Sequence, residues 1–189
     1  MRYEEAGKKI KALTKEIAGL RSELAKAREA AEPQEVKDYT FKRSTGGEVK
    51  LSELFDDKDH LILIHNMGAG CPYCTLWADG FNGVFDHLNN RAAFALSSPD
   101  EPAKQKKFAE SRGWRFPVVS HAGTSFAKDM GYAHDNSFAP GVSAFARKNG
   151  KIYRVTDEAF GPGDDFCIVW PFFDLLPGGA GDWEPQYKY

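Results

Sequence analysis

The most regular pattern of apolar and polar positions lies at the start of the chain. Tyr3, Ala6, Ile10, Leu13, Ile17, Leu20, Leu24 and Ala27 alternate by threes and fours, with Lys, Arg and Glu elsewhere. That spacing predicts a long helix over residues 3–27 with a narrow a/d heptad seam. A helix docked on its own core presents a broader apolar face. The seam therefore fits either packing on its own domain or pairing across a dimer. Pro33 and its polar neighbours predict the end of the helix and a hinge. Further on, the unbroken apolar run Leu61–Ile64 predicts a strand buried on both faces. Met67-Gly-Ala-Gly70 reads as a loop, after which Leu76, Trp77 and Phe81 return at helical spacing. A helix should thus start near Pro72, where proline is tolerated in a first turn, and run to about Leu88. Gly80 and Gly83 inside it each cost about 1 kcal/mol against Ala, which predicts close packing or a kink there.

The remaining pattern is shorter. Tyr39–Phe41 and Val49–Leu51 read as β segments around Gly46-Gly47, and Ser52 as the N-cap of one helical turn through Phe55. Ala92–Leu96 predicts a second buried strand, and Glu101–Arg112 an amphipathic helix ending at Gly113. Pro117–Ser120 is extended and Ser125–Met130 a brief helix. Val142–Ala146 and Ile152–Val155 flank Asn149-Gly150, a strong hairpin signal. Phe166–Leu176 is apolar enough for a last helix covering the sheet. A β-α-β-α half followed by a hairpin and a closing helix predicts an α/β fold: a mixed central sheet with helices on both faces. The expected organisation is an N-terminal helix over 1–32 for dimerisation or docking, an α/β domain over 36–177 and an irregular tail over 178–189. In such sheets the site lies at the carboxyl ends of the strands, where the Gly68–Cys71 loop falls.

Composition changes this picture little. Hydrophobic content of 42% and charged content of 28% are ordinary for a soluble globular protein. A formal net charge of −2 gives no reason to expect nucleic acid or an anionic membrane surface as partner. No apolar run approaches the length of a membrane span, and the N-terminus lacks the apolar core of a signal peptide. Three cysteines in that setting fit a reducing cytoplasm, where Cys-x-x-Cys is more often catalytic than structural.

The chemistry concentrates in Cys71-Pro72-Tyr73-Cys74. Cys71 falls at a predicted helix N-terminus, where free N–H groups and the dipole stabilise a thiolate. Cys74, one turn on, lies on the same side and within disulfide reach. Strand, glycine loop, cysteine pair and helix are the order that a thiol–disulfide centre needs. Two other readings remain open. Cys71 and Cys74 could hold zinc or copper(I) with His65, His121 or His134, or the pair could be inert in a module whose heptad helix is the working part. Thr75 after Cys74 excludes the Cys-x-x-Cys-His haem signature. Cys167, within Phe166–Trp170, reads as a small buried residue.

Cys-Pro-Tyr-Cys is the glutaredoxin motif, but its surroundings resemble another group. Gly70–Gly83, Gly113–Ser120, Pro140–Phe145 and Asp174–Pro177 resemble, in order, the signatures of a bacterial family of the domain-of-unknown-function 899 type. Its members are thioredoxin-like proteins, related to the alkyl-hydroperoxide-reductase group and described as predicted dithiol–disulfide oxidoreductases. The resemblance covers roughly residues 36–177 and implies a thioredoxin-like three-layer sandwich plus the heptad helix. It implies that Cys71 attacks a disulfide and Cys74 resolves, with no bound cofactor. The implied partners are a disulfide-bearing protein or small thiol and an external reductant such as thioredoxin or glutathione. Pro72, Tyr73 and, unless it is half-buried helix packing, Trp77 would form the rim that a substrate touches. So would Pro140, Gly141 and Val142, because the fold places a cis-proline loop against the cysteines. Counting from the hairpin puts Val142 at the proline position, with Pro140 two residues early. A peroxiredoxin would carry Thr or Ser three residues before its cysteine; Gly68 there argues against peroxidase activity. His65 stands six residues before Cys71, where thioredoxins hold a buried acid. It is therefore a candidate proton relay to Cys74, or else a core histidine.

Overall fold

The computed structural model describes residues 2–135 and 137–189. It divides into two compact units, one ending at Pro33 and one running from Gln34 to Tyr189. The first unit is a single helix, α1 (Tyr3–Ala30), with Glu4 and Glu5 in its first turn and Arg28 in its last, each complementing the helix dipole. Its 28 residues span about 42 Å, and none is buried.

In the second unit one eight-stranded mixed sheet organises the chain. Its strands are β1 (Gln34–Val36), β2 (Thr40–Arg43), β3 (Glu48–Lys50), β4 (His60–His65), β5 (Ala93–Ser98), β6 (Val118–Ser120), β9 (Gly141–Lys148) and β10 (Lys151–Ala159), in the order β1-β10-β9-β4-β5-β6-β2-β3. A small separate hairpin, β7 (Ala133–His134) and β8 (Ser137–Phe138), precedes β9. β4 lies centrally, parallel to β5 and antiparallel to β9. Its alternation divides the core in two. Leu61 and Leu63 join Phe41, Phe55, Phe126, Tyr132 and Phe145 on one face. Ile64 joins Trp77, Ala78, Phe81, Phe94 and Trp170 on the other. Three helices supply the second face: α2 (Pro72–Arg91), α3 (Pro102–Arg112) and α5 (Val169–Phe173). The first is covered by a 3-10 turn (Leu51–Phe55) and the four-residue α4 (Phe126–Asp129). The thioredoxin-like layering expected from the sequence is present, together with the long N-terminal helix.

Several elements depart from the sequence reading. The expected hinge after Pro33 contains β1, an edge strand paired with β10 from Gln34↔Arg154 to Val36↔Ile152. Lys50, not Ser52, caps the 3-10 turn; the Ser52 N–H and hydroxyl are both held at 2.8 Å by the Asp38 carboxylate. The last helix is shorter than the apolar run. Pro171 has no N–H to offer the Cys167 carbonyl, so a helix from Phe166 would carry it in its interior; starting at Val169 keeps it in the first turn. Leu175 and Leu176 are left 79% and 55% exposed. The close packing expected at Gly80 and Gly83 is absent, since a Cβ at either would meet nothing within 4 Å. The tail beyond residue 178 has no regular structure, yet Trp183 packs against Trp170 and Phe173.

Candidate active site

β4 ends at His65, and the chain turns through Asn66–Gly70 into α2. Asn66 holds both ends of this turn. Its Oδ1 accepts from the Gly68 N–H at 2.7 Å, and its Nδ2 donates to the Cys74 carbonyl at 3.4 Å. Asp100, beyond the carboxyl end of neighbouring β5, accepts from the Ala69 N–H at 2.6 Å and from Lys104 at 2.6 Å. Gly68 takes φ +101°, and a Cβ there would lie 2.7 Å from the Asp100 carboxylate, so only glycine lets the two segments close.

Cys71 is the N-cap of α2, with Pro72 as first helical residue. Its sulfur accepts from the Cys74 N–H at 3.1 Å, and the Cys74 sulfur accepts from the Met67 N–H at 3.5 Å. Both cysteines are free thiols, 8% and 2% exposed. The Cys71 thiol is lowered to about 7, chiefly because the Cys74 thiol donates to its sulfur; burial opposes this, and the Cys74 and Tyr73 N–H groups assist. The Cys74 thiol is pushed up by that same bond and by its burial. One cysteine is thus poised as thiolate while the other keeps its proton, the asymmetry that a nucleophile and its resolving partner require.

The chain belongs to the family described as "Bacterial protein of unknown function (DUF899)", whose model matches residues 1–189. No curated protein matches it. Among solved structures, the DUF899 chain is similar to the peroxidoxin BcpB of Mycobacterium tuberculosis, with 26% identity over 64% of this chain and 80% of that one, at a TM-score of 0.54. It is also similar to a cysteine-to-serine mutant of PrxQ from Xylella fastidiosa: 14% identity, 70% and 89% covered, TM-score 0.60. The reduced Prx3 of Vibrio vulnificus, in complex with hydrogen peroxide, matches at 19% identity, 71% and 90% covered, TM-score 0.57.

The other expected site residues fall into place unevenly in this DUF899 chain. Gly141 pairs with His65 and Val142 with Ile64 across the β4–β9 ladder, so Pro140–Val142 lie beside the strand end that feeds the cysteine turn. No peptide bond among the described residues is cis, and Gly141 to Ala146 pair with β4 without a register shift, so Pro140 stays two residues ahead of Val142. Pro72 and Tyr73 are half-buried, and the Tyr73 ring lies 6.3 Å from those of Trp77 and Trp170. Trp77 packs into the core at 3% exposure, the helix-packing alternative rather than the rim, with its Nε1 donating to Asp164 at 3.3 Å. Asp164 also accepts from the Gly161, Phe166 and Cys167 N–H groups, which fixes the loop over α2.

His65 does not face the cysteines. Its ring is stacked 3.8 Å from Tyr132 and 5.5 Å from Phe126 in the first core, and its Nε2 meets the Ser143 hydroxyl at 2.8 Å. Burial drives its pKa down to about 3, with help from His121 and Arg154. This is the core-histidine alternative, with a hydroxyl as the ring's partner. Nor do the ligands of a metal site converge: among the described residues no three His, Cys, Asp or Glu side chains cluster to hold an ion. Sequence reasoning missed Asn66, Asp100 and Tyr187. The Tyr187 hydroxyl donates to the Ala69 carbonyl at 3.1 Å, and Arg112 grips the Tyr187 carbonyl at 2.8 Å. The Tyr187 hydroxyl pKa is raised, by burial first and then by the charge of the nearby cysteine pair. Asn66, preceding a glycine loop, was findable as a turn residue; Asp100 and Tyr187 act from 31 and 118 positions away.

Proposed function

We propose that this protein is a dithiol–disulfide oxidoreductase. The Cys71 thiolate attacks one sulfur of a substrate disulfide, forming a mixed disulfide and expelling the other sulfur as thiolate, which takes a proton from water. Cys74 then attacks the Cys71 sulfur, releasing the second substrate thiolate and leaving a Cys71–Cys74 disulfide. The substrate gains two electrons and the cysteine pair loses them; an external dithiol or glutathione restores the pair. The observation that carries this reading is the place of Cys71 as the N-cap of α2, its sulfur taking the Cys74 N–H at 3.1 Å, with the neighbouring Cys74 thiol lowering the Cys71 pKa while its own is raised. Once Cys71 is bound in a mixed disulfide its charge is gone, and with it the main cause of the raised Cys74 pKa. The resolving thiol is then freed to ionise at the step where it is needed. Tyr73, Pro72 and Pro140–Val142 frame the entrance that a substrate uses. A reducing compartment such as the cytoplasm suits the free thiols.

The likeness to peroxiredoxins supports a second reading: Cys71 attacks a peroxide O–O bond, yielding an alcohol or water and a sulfenic acid that Cys74 condenses to the disulfide with loss of water. Against it stands Gly68, at the position where a hydroxyl-bearing side chain would be needed and where any Cβ runs against Asp100. The test is a paired measurement on reduced protein. Single-turnover oxidation by a model disulfide and by hydrogen peroxide is followed by free-thiol loss. Faster reaction with the disulfide, lost in Cys71→Ser and trapped as a mixed disulfide in Cys74→Ser, supports the first reading. Peroxide outpacing the disulfide by orders of magnitude overturns it.

A further inference from the structure

Helix α1 carries no buried residue, although its seam is that of a packed helix. Ile10, Leu13, Ile17, Leu20 and Leu24 are between 47% and 61% exposed. In heptad terms Tyr3, Ile10, Ile17 and Leu24 occupy a, and Ala6, Leu13, Leu20 and Ala27 occupy d. β-Branched residues at a with Leu at d are the combination that favours two parallel strands over higher assemblies. The flanking charges agree. Positions g include Glu16 and Glu23, and the e positions five residues later hold Arg21 and Arg28. In a parallel in-register pair, g of one helix faces that following e of the other, so both of these contacts are attractive, while Lys9 at g faces the neutral Thr14. An antiparallel pair of the same seam would set Glu16 against Glu16. Outward f positions carry Lys8, Lys15, Ser22 and Glu29, which suit water. Two interior glycines, Gly7 and Gly19, lower the helix's own propensity, and helices in water draw most of their stability from a packed apolar face.

We propose that α1 pairs in parallel and in register with α1 of a second copy of this chain, as a two-stranded coiled coil. Leu13 and Leu20 meet their own counterparts across the axis, and Glu16 and Glu23 meet Arg21 and Arg28 of the second copy. This assembly stands on the helix alone and is independent of the redox reading.

Sedimentation equilibrium on reduced full-length protein tests it. The expected mass is about 42 kDa, twice the 21.0 kDa chain. Ile17→Lys, a charge at the centre of the seam, should give the monomer while leaving the alkylation rate of Cys71 unchanged, showing that the rest of the chain is folded. Glu16→Arg with Glu23→Arg makes both charged e–g contacts repulsive and should weaken dimerisation by about tenfold or more. Adding Arg21→Glu and Arg28→Glu should restore it. For orientation, Leu13→Cys is placed in a chain with Cys71, Cys74 and Cys167 changed to Ser; oxidation should yield a covalent dimer, because an antiparallel pair would set Leu13 against Ile17. A monomer at about 100 µM, a trimer or larger, persistence of the dimer in Ile17→Lys, or failure of the fourfold charge exchange to restore pairing overturns the proposal.

Discussion

At the scale of single residues, the site's chemistry rests on the division of labour between Cys71 and Cys74. With Cys71 lowered to about 7, its reactivity toward iodoacetamide should rise with pH to a plateau, half-maximal near pH 7 and falling about tenfold per unit below that. Cys74 and Cys167 should lag, because burial raises both and Cys74 also donates to Cys71. Equal labelling of all three by mass spectrometry would refute the asymmetry. Cys74→Ala removes the largest cause of the lowering and keeps the cap geometry, so the half-maximal pH should move up toward the ordinary thiol value of about 8.5. An unmoved profile would place the cause in the backbone N–H groups instead. These two residues were legible in the sequence because everything that defines them is local: a cap, a proline and one helical turn. His65 shows the limit of such counting. Position along a strand fixes that a side chain is buried, but which core it enters follows from alternation, and Leu63 and His65 share a face that Ile64 does not.

At the scale of elements, the cysteine turn and the start of β9 meet where two glycines do different work from the rest. Gly141 lies opposite His65, and a Cβ there would run into the Tyr132 ring and stand 2.6 Å from the Glu158 carbonyl oxygen. Tyr132 cannot yield easily: it is stacked on His65, and its hydroxyl donates toward Asp157 and the carbonyls of Val142 and Glu158. Gly141→Ala should therefore cost about 3 kcal/mol, at the severe end of overpacking. Gly80→Ala and Gly83→Ala, with open space around each Cβ, should each stabilise by up to about 1 kcal/mol. Urea midpoints of the three variants check this; a mild Gly141→Ala would mean that Tyr132 swings aside. The sequence identified most strands and helices from their apolar pattern, since β4 and β5 carry unbroken apolar runs and α2 and α3 each bury one face at helical spacing. It did not reveal β1 or the β7–β8 hairpin. These are edge pairings of two or three residues, held by a partner strand rather than by their own apolar pattern.

At the scale of the whole molecule, the first core contains an acid-sensitive feature. His65 and His121 are 2% and 4% exposed, and burial lowers their pKa values to about 3 and about 4. His65 has Ser143 as partner for one nitrogen, whereas neither nitrogen of His121 has a hydrogen-bond partner among the described residues. The His121 ring lies between Phe126 and Phe138 at 6.4 and 5.4 Å. In the unfolded chain both imidazoles titrate near 6.5, so below that pH the unfolded state binds more protons than the folded one. Stability contributed by the neutral rings is complete above about pH 6.5 and is lost as pH falls from there toward 4. Between pH 7 and pH 5 the two histidines together should cost about 4 kcal/mol, about 2 from each. His121→Phe isolates half of this. At pH 7 it removes a buried, unpartnered polar ring and should raise stability by about 1 kcal/mol. At pH 5 the gain should grow to about 3 kcal/mol, because the variant no longer bears the cost of keeping an imidazole neutral. Urea unfolding of both proteins at the two pH values measures the difference of differences, in which the other titrating groups cancel. A gain of the same size at both would mean that His121 holds its proton equally in the folded and unfolded chains, and that the acid sensitivity of this core lies with His65 alone.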